Sequence, residues 1–153
     1  MRRLIVAIAF LLLAAAPAHA APEGTVVLAT PHGFDTLVAR LKQAVADNKM
    51  GLVSQASASA GVARRGVTIP GNYVAGVYRN DFAVRMLKAS VPAGIEAPIR
   101  FYVTAEDDGT ASLRYRPPSV VFAPYDDGGT ALDDLAQELD VIFATIAKQA
   151  VAK

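Results

Sequence analysis

Between Ile99 and Arg116 the side chains alternate so regularly that one local structure satisfies them. Ile99, Phe101, Val103 and Ala105 alternate with Arg100, Tyr102, Thr104 and Glu106. Further on, Ala111, Leu113 and Tyr115 alternate with Ser112, Arg114 and Arg116. A period of two is that of a half-buried strand, so both runs must lay their apolar sets on one sheet face. A two-residue turn would pair odd positions with even ones and split those sets. A three-residue loop, Asp107-Asp108-Gly109, pairs Phe101 with Tyr115 and Val103 with Leu113, and Gly109 supplies its left-handed residue.

The rest of the chain is read around this hairpin. Thr25 to Thr30 is an apolar strand stopped by Pro31-His32-Gly33. Asp35 is the expected N-cap of a helix carrying Leu37, Val38, Leu41 and Val45, with Gly51 beyond its end. Leu52 to Ser59 reads as a second strand, Ala60 to Gly71 as a loop and Tyr73 to Arg79 as a third strand. Asn80 is the expected cap of a short helix whose Phe82, Ala83, Met86 and Leu87 share one face. Pro92 to Pro98 is rich in turn residues. After the hairpin, Pro117-Pro118 interrupts the ladder and Ser119 to Tyr125 is expected to run extended. Asp126-Asp127-Gly128-Gly129 then turns into a last helix, capped by Thr130, with Leu132, Leu135, Leu139, Ile142, Phe143 and Ile146 near a 3.6 period. The order β-α-β-β-α-β-β-α implies an α+β two-layer sandwich, its helices on one face of a largely antiparallel sheet.

The first 20 residues stand apart. Arg2 and Arg3 precede 13 consecutive apolar residues, Leu4 to Ala16, and Ala18-His19-Ala20 follows as a small-x-small triplet. That is the layout of a secretory signal peptide. The run is too short for a bilayer core, which takes roughly 20 residues. Residues 1–20 are therefore expected to be a signal peptide cleaved after Ala20, residues 21–33 an N-terminal tail and first strand, and residues 34–153 the remainder of a single domain. A bacterial periplasm is the expected location, with no membrane span after cleavage.

Composition narrows the chemistry. Without cysteine there is no disulfide, thiolate metal site or lipid anchor on Cys. His32 is the only imidazole outside the leader, so a multi-histidine metal site cannot form within one chain. The formal charge of +1 is a poor match to nucleic acid, whose binding rests on many phosphate contacts. Neither a metal nor a tightly bound cofactor is expected.

The stretches Tyr78-Arg79-Asn80-Asp81-Phe82-Ala83-Val84-Arg85-Met86-Leu87, Pro92-Ala93-Gly94-Ile95-Glu96-Ala97-Pro98-Ile99-Arg100-Phe101-Tyr102, Asp108-Gly109, Tyr115-Arg116 and Phe122-Ala123-Pro124-Tyr125 resemble the exported branch of a domain family designated DUF302. The similarity runs from about Phe34 to Phe143. It implies a compact α+β domain of a family without an established activity, whose members occur alone or attached to other exported modules. Other branches carry a His after the second strand; aligned on Gly66, this chain has Ala58 near that place.

The hairpin register has a chemical consequence. It places Arg100 opposite Arg116 and Tyr102 opposite Arg114, on the face away from the apolar set. Like charges facing each other destabilise a ladder, so a carboxylate or a bound anion is needed between them. Glu96 and Asp126 are near enough in sequence to serve internally. Arg79, Asn80 and Arg85 bracket a helix start, where an anion can also sit, although a cap with exposed side chains explains them equally. His32, between a strand and a helix, can present a general base or simply face water. The aspartates of the two Asp-Asp-Gly turns lack the spaced ligands of a calcium loop.

These residues support a non-catalytic exported domain that binds a small or anionic ligand through Arg100, Tyr102, Arg114, Arg116 and Glu96, or assists an envelope protein. One alternative is a hydrolase or isomerase with His32 or Glu96 as base; another is a protein–protein module of the cell envelope. Export of the full gene in a bacterial host should give a product whose mass begins at Ala21. A mass retaining residues 1–20 would contradict the assigned leader.

Overall fold

A computed structural model describes residues 21–125 and 129–153. The leader therefore lies outside the described residues, as does the Asp126-Asp127-Gly128 turn. Five strands, β1 (Val26–Thr30), β2 (Gly51–Ala56), β3 (Asn72–Tyr78), β4 (Ile99–Ala105) and β5 (Ala111–Tyr115), form one sheet in the order β1-β5-β4-β3-β2. Every neighbouring pair is antiparallel. Three helices, α1 (Phe34–Asp47), α3 (Asn80–Ala89) and α5 (Ala131–Val151), bury apolar stripes in the shared core. The result is the α+β two-layer sandwich expected from the sequence. Since β1 and β2 are opposite edges, α1 crosses the sheet between them and touches β3, β4 and β5 on the way.

The hairpin has the expected register: Phe101 pairs with Tyr115 and Val103 with Leu113. Asp107, Asp108 and Gly109 form its loop, closed by the Glu106 amide donating to the Thr110 carbonyl at 2.9 Å. Gly109 has φ +83°, the left-handed conformation that a residue with a Cβ resists. Phe101, Val103 and Leu113 are fully buried. Over them lies Phe143 of α5, stacked on Phe101 at 4.9 Å between ring centroids, with Tyr115 tilted 5.1 Å from Phe101. Aromatic pairs in this range add about 0.5–1.5 kcal/mol beyond the area they bury.

The structure corrects several local expectations. Gly33 is the N-cap of α1, and Asp35 lies in the first turn, where its charge suits the helix dipole. The second strand ends at Ala56 and a short helix, α2 (Ala58–Ala63), follows. Ser57 starts it, its hydroxyl accepting from the Ala60 amide at 3.1 Å, so the serine-rich stretch is capping chemistry rather than strand. Helix α3 begins at Asn80 itself, which makes Arg79 its N-cap. Leu87 points away from the core and is 45% exposed. Pro92–Glu96 is a 3₁₀ turn.

The segment expected to run extended, Ser119 to Tyr125, instead coils into α4 (Pro118–Phe122) and a further 3₁₀ turn, Ala123–Tyr125. Pro118 occupies the first helical position, where its fixed φ is already suitable and its missing N–H costs nothing. The carboxylate of Asp140, on α5, then accepts from the Ser119 amide at 3.0 Å and satisfies one of the orphan donors. The proline pair thus ends the ladder and starts a helix.

The C-terminal end of α5 is tied to the start of the domain by polar contacts. Arg40 of α1 donates to the carbonyls of Ala150, Gln149 and Ala152 at 2.8, 3.0 and 2.8 Å, and His32 Nε2 lies 2.7 Å from the Ala152 carbonyl. A guanidinium there satisfies orphan acceptors and complements the negative end of a 21-residue helix. Helix α1 closes with the Met50 amide donating to Val45 and Lys49 to Ala46, which puts Lys49 at φ 56°. Glycine is the usual residue at that position, since a Cβ in the left-handed region costs about 1–2 kcal/mol. Lys49→Gly should therefore raise the unfolding free energy by about 1 kcal/mol in urea denaturation; unchanged or reduced stability would contradict this account of the turn.

Candidate functional site

The site forms where the hairpin's open end meets the helical layer. Along β4 the buried residues alternate with exposed Arg100 and Tyr102, and on β5 the half-buried Arg114 lies opposite Tyr102. These side chains project from the sheet face turned away from the helices. Gly76 pairs with Arg100 from β3, and its lack of a side chain leaves room for Pro98 and Ser54 to pack there. That close approach seats the start of β4, and Arg100 with it.

Glu96, Arg100, Tyr102, Arg114 and Arg116, the five residues singled out from the sequence, line one cleft of about 360 Å³. Its other walls come from the tail residues Ala21, Pro22 and Thr25 and from Ile99, Tyr115 and Val121. The tail is positioned by Gly24, which lies against Val120 of α4. The cleft is therefore built by four separate segments, and the tail's contribution carries no signal in the sequence pattern.

The charges in the cleft are differently engaged. Arg114 donates to Thr104 Oγ1 and, at 3.3 Å, to Glu106 Oε1. The Ser112 hydroxyl, above all, then the Thr104 hydroxyl and the Arg114 charge hold the Glu106 carboxyl below the ordinary glutamate range. Glu106 was not anticipated as a partner. Its signal was present, however: it follows Tyr102 and Thr104 at the strand period, on the same face as Arg114.

Neither of the expected internal partners pairs with these arginines among the described residues. Glu96 accepts from the Tyr125 hydroxyl at 2.7 Å, and Asp126 lies outside the description. That hydrogen bond, with burial second, raises the Tyr125 phenol above its usual value. The ladder ends at Phe101–Tyr115, one step short of an Arg100–Arg116 pair. Arg116 instead reaches the Val120 carbonyl at 3.5 Å. Among the described residues the Arg100 guanidinium has no hydrogen bond or ion pair.

The secondary candidates are placed elsewhere. Arg79 forms a two-pronged pair with Asp81 at 2.7 and 3.1 Å and covers the Phe82 ring at 4.2 Å. This pairing holds the Asp81 carboxyl low. Arg85 bonds Glu138 at 2.7 Å, and Asn80 starts α3 between them. Together with His32 at the end of α5, none of these lines the cleft. Among the described residues no group of three His, Asp or Glu side chains is placed to hold a metal ion, and no helix is long and apolar enough to cross a membrane.

The sequence pattern described as "Domain of unknown function DUF302" matches residues 26–147. The chain is also similar to a solved structure, an uncharacterized conserved DUF302 protein from Bacillus stearothermophilus. The two share 17% identity and superimpose with a TM-score of 0.72 over 84% of this chain and 98% of that one. At that identity the likeness concerns the fold. No curated protein matches the chain.

The Glu106 environment gives a pH prediction. A carboxyl whose pKa falls on folding contributes stability above its unfolded value of about 4.3, and that contribution disappears as pH falls through the lowered value. Glu106→Gln should therefore cost about 0.5 kcal/mol at pH 7, the scale of a half-exposed pair. In denaturant unfolding across pH, the gap to wild type should close in acid; a gap independent of pH would contradict the assignment.

Proposed function

The chain belongs to the DUF302 family, and for this member we propose a non-catalytic role in which the cleft beside the hairpin binds a small anionic ligand outside the cytoplasm. The observation that carries this reading is the pair Arg100 and Arg116. Of the three guanidinium groups that share one cleft, Arg114 is engaged by Thr104 and Glu106, whereas Arg100 has no side-chain partner among the described residues and Arg116 only a long bond to a carbonyl. Guanidinium forks match carboxylate and phosphate geometry, and Tyr102 adds a hydroxyl on the same wall. A volume of about 360 Å³ is at the small-ligand end of binding pockets.

The same contacts favour binding over catalysis. Glu96, the one carboxylate among the described lining residues, already accepts from Tyr125, and the His32 ring is engaged at the α5 terminus away from the cleft. The exported location rests on the leader pattern alone. Exposed Val84, Leu87, Val91 and Ile95, running along α3 and the turn after it, favour a second reading in which the domain also docks on an envelope protein.

The test is calorimetric titration of the mature protein with inorganic phosphate and carboxylates from two to eight carbons. At least one should bind saturably. Arg100→Gln and Arg116→Gln should each weaken it about tenfold or more, the scale of a charged hydrogen bond, and the double variant should abolish it. Binding that survives the double substitution would refute the site.

A further inference from the structure

The cleft has two chemically different ends, and this sets the class of anion. Ile99, Tyr115 and Val121 form one part of its lining, and each is less than a tenth exposed. These residues belong to the core layer: Tyr115 sits against Phe101 and Phe143, and Ile99 and Val121 join the same cluster. Arg100 and Tyr102, by contrast, alternate with the core residues of β4 and are exposed on the opposite side of the sheet. The cleft therefore spans from the cationic outer face, round the end of the hairpin, to apolar side chains of the core.

An inorganic anion would use only the first part and leave water against Ile99 and Val121. We infer that the ligand is an amphipathic organic anion: an acidic head group held by Arg100 and Arg116, and an apolar body laid against Ile99, Tyr115 and Val121. The inference rests on the anion-site reading above and adds the body to it. Carboxylate and phosphate monoester heads share the chemistry that a guanidinium fork recognises. Arg114, with Glu106 and Thr104 as partners, shapes the wall rather than supplying a free charge. The Tyr115 phenol, raised in pKa first by burial and then by Asp140, stays neutral beside the body.

The experiment is a chain-length series on the mature protein: acetate, butyrate, hexanoate and octanoate, with inorganic phosphate, hexyl phosphate and neutral 1-hexanol. Each methylene leaving water tightens binding about fourfold at full burial. The dissociation constant should therefore fall along the carboxylates until the cleft is filled. 1-Hexanol should bind far more weakly than hexanoate. Comparing hexanoate with hexyl phosphate identifies the preferred head.

Arg100→Gln/Arg116→Gln should remove the binding of every acid, and Val121→Ser should flatten the series while leaving acetate unchanged. Should Val121→Ser fail to fold, methyl chemical-shift changes at Ile99 and Val121 on adding hexanoate, absent with acetate, carry the same information. Arginine-dependent binding with no chain-length dependence would overturn the amphipathic ligand and leave the anion site standing. No binding by any acid, or binding indifferent to the arginines, would overturn both.

Discussion

The contact of Phe101 with Tyr115 across the hairpin, with Phe143 stacked on the first at 4.9 Å, joins the sheet to the helical layer. Its position decides which way every other side chain on β4 and β5 points. A slip of one residue would split the two apolar sets, turning either Phe101 and Val103 or Leu113 and Tyr115 to solvent and driving the arginines of that strand toward the core. The Asp107-Asp108-Gly109 loop prevents that slip, because its length fixes the pairing and Gly109 accepts the φ of +83° that it needs. The cationic wall of the cleft is thus a by-product of how the core is packed, and its geometry is as firm as that core.

Several other charges among the described residues have structural work. Arg40 and His32 satisfy the last carbonyls of α5, Arg85 joins α3 to Glu138, Arg79 closes on Asp81, and Asp140 caps α4. All but the Arg79–Asp81 pair join residues of different elements. Within the cleft Arg100 stands out, since its guanidinium has no hydrogen bond or ion pair among the described residues. Arg116 is close to the same condition, with one bond at the limit of hydrogen-bond length.

The sheet's centre was legible in the sequence because strict alternation admits one register, and α5 because its apolar residues hold a 3.6 period. Placing Arg100, Tyr102, Arg114 and Arg116 together followed from the same alternation. Other parts were hidden for physical reasons. Ser119 to Tyr125 looks extended by composition, yet Pro118 and a cap from Asp140, distant in sequence, make it helical. Ser57 and its neighbours carry strand-like alternation too weak to outweigh a serine cap. The tail's place in the cleft depends on Gly24 meeting Val120, a contact between segments that share no periodicity. Glu106 was readable as the partner of Arg114 from strand parity alone.

A direct test of the account is to follow the arginine Nε–Hε resonances by NMR while titrating hexanoate. Arg100 and Arg116 should shift together and saturate, while Arg40, Arg79 and Arg85, occupied by carbonyls or carboxylates, should stay in place. Saturating shifts confined to Arg40, Arg79 or Arg85, or no saturable shift at Arg100 and Arg116, would contradict the assignment of the cleft as the binding site.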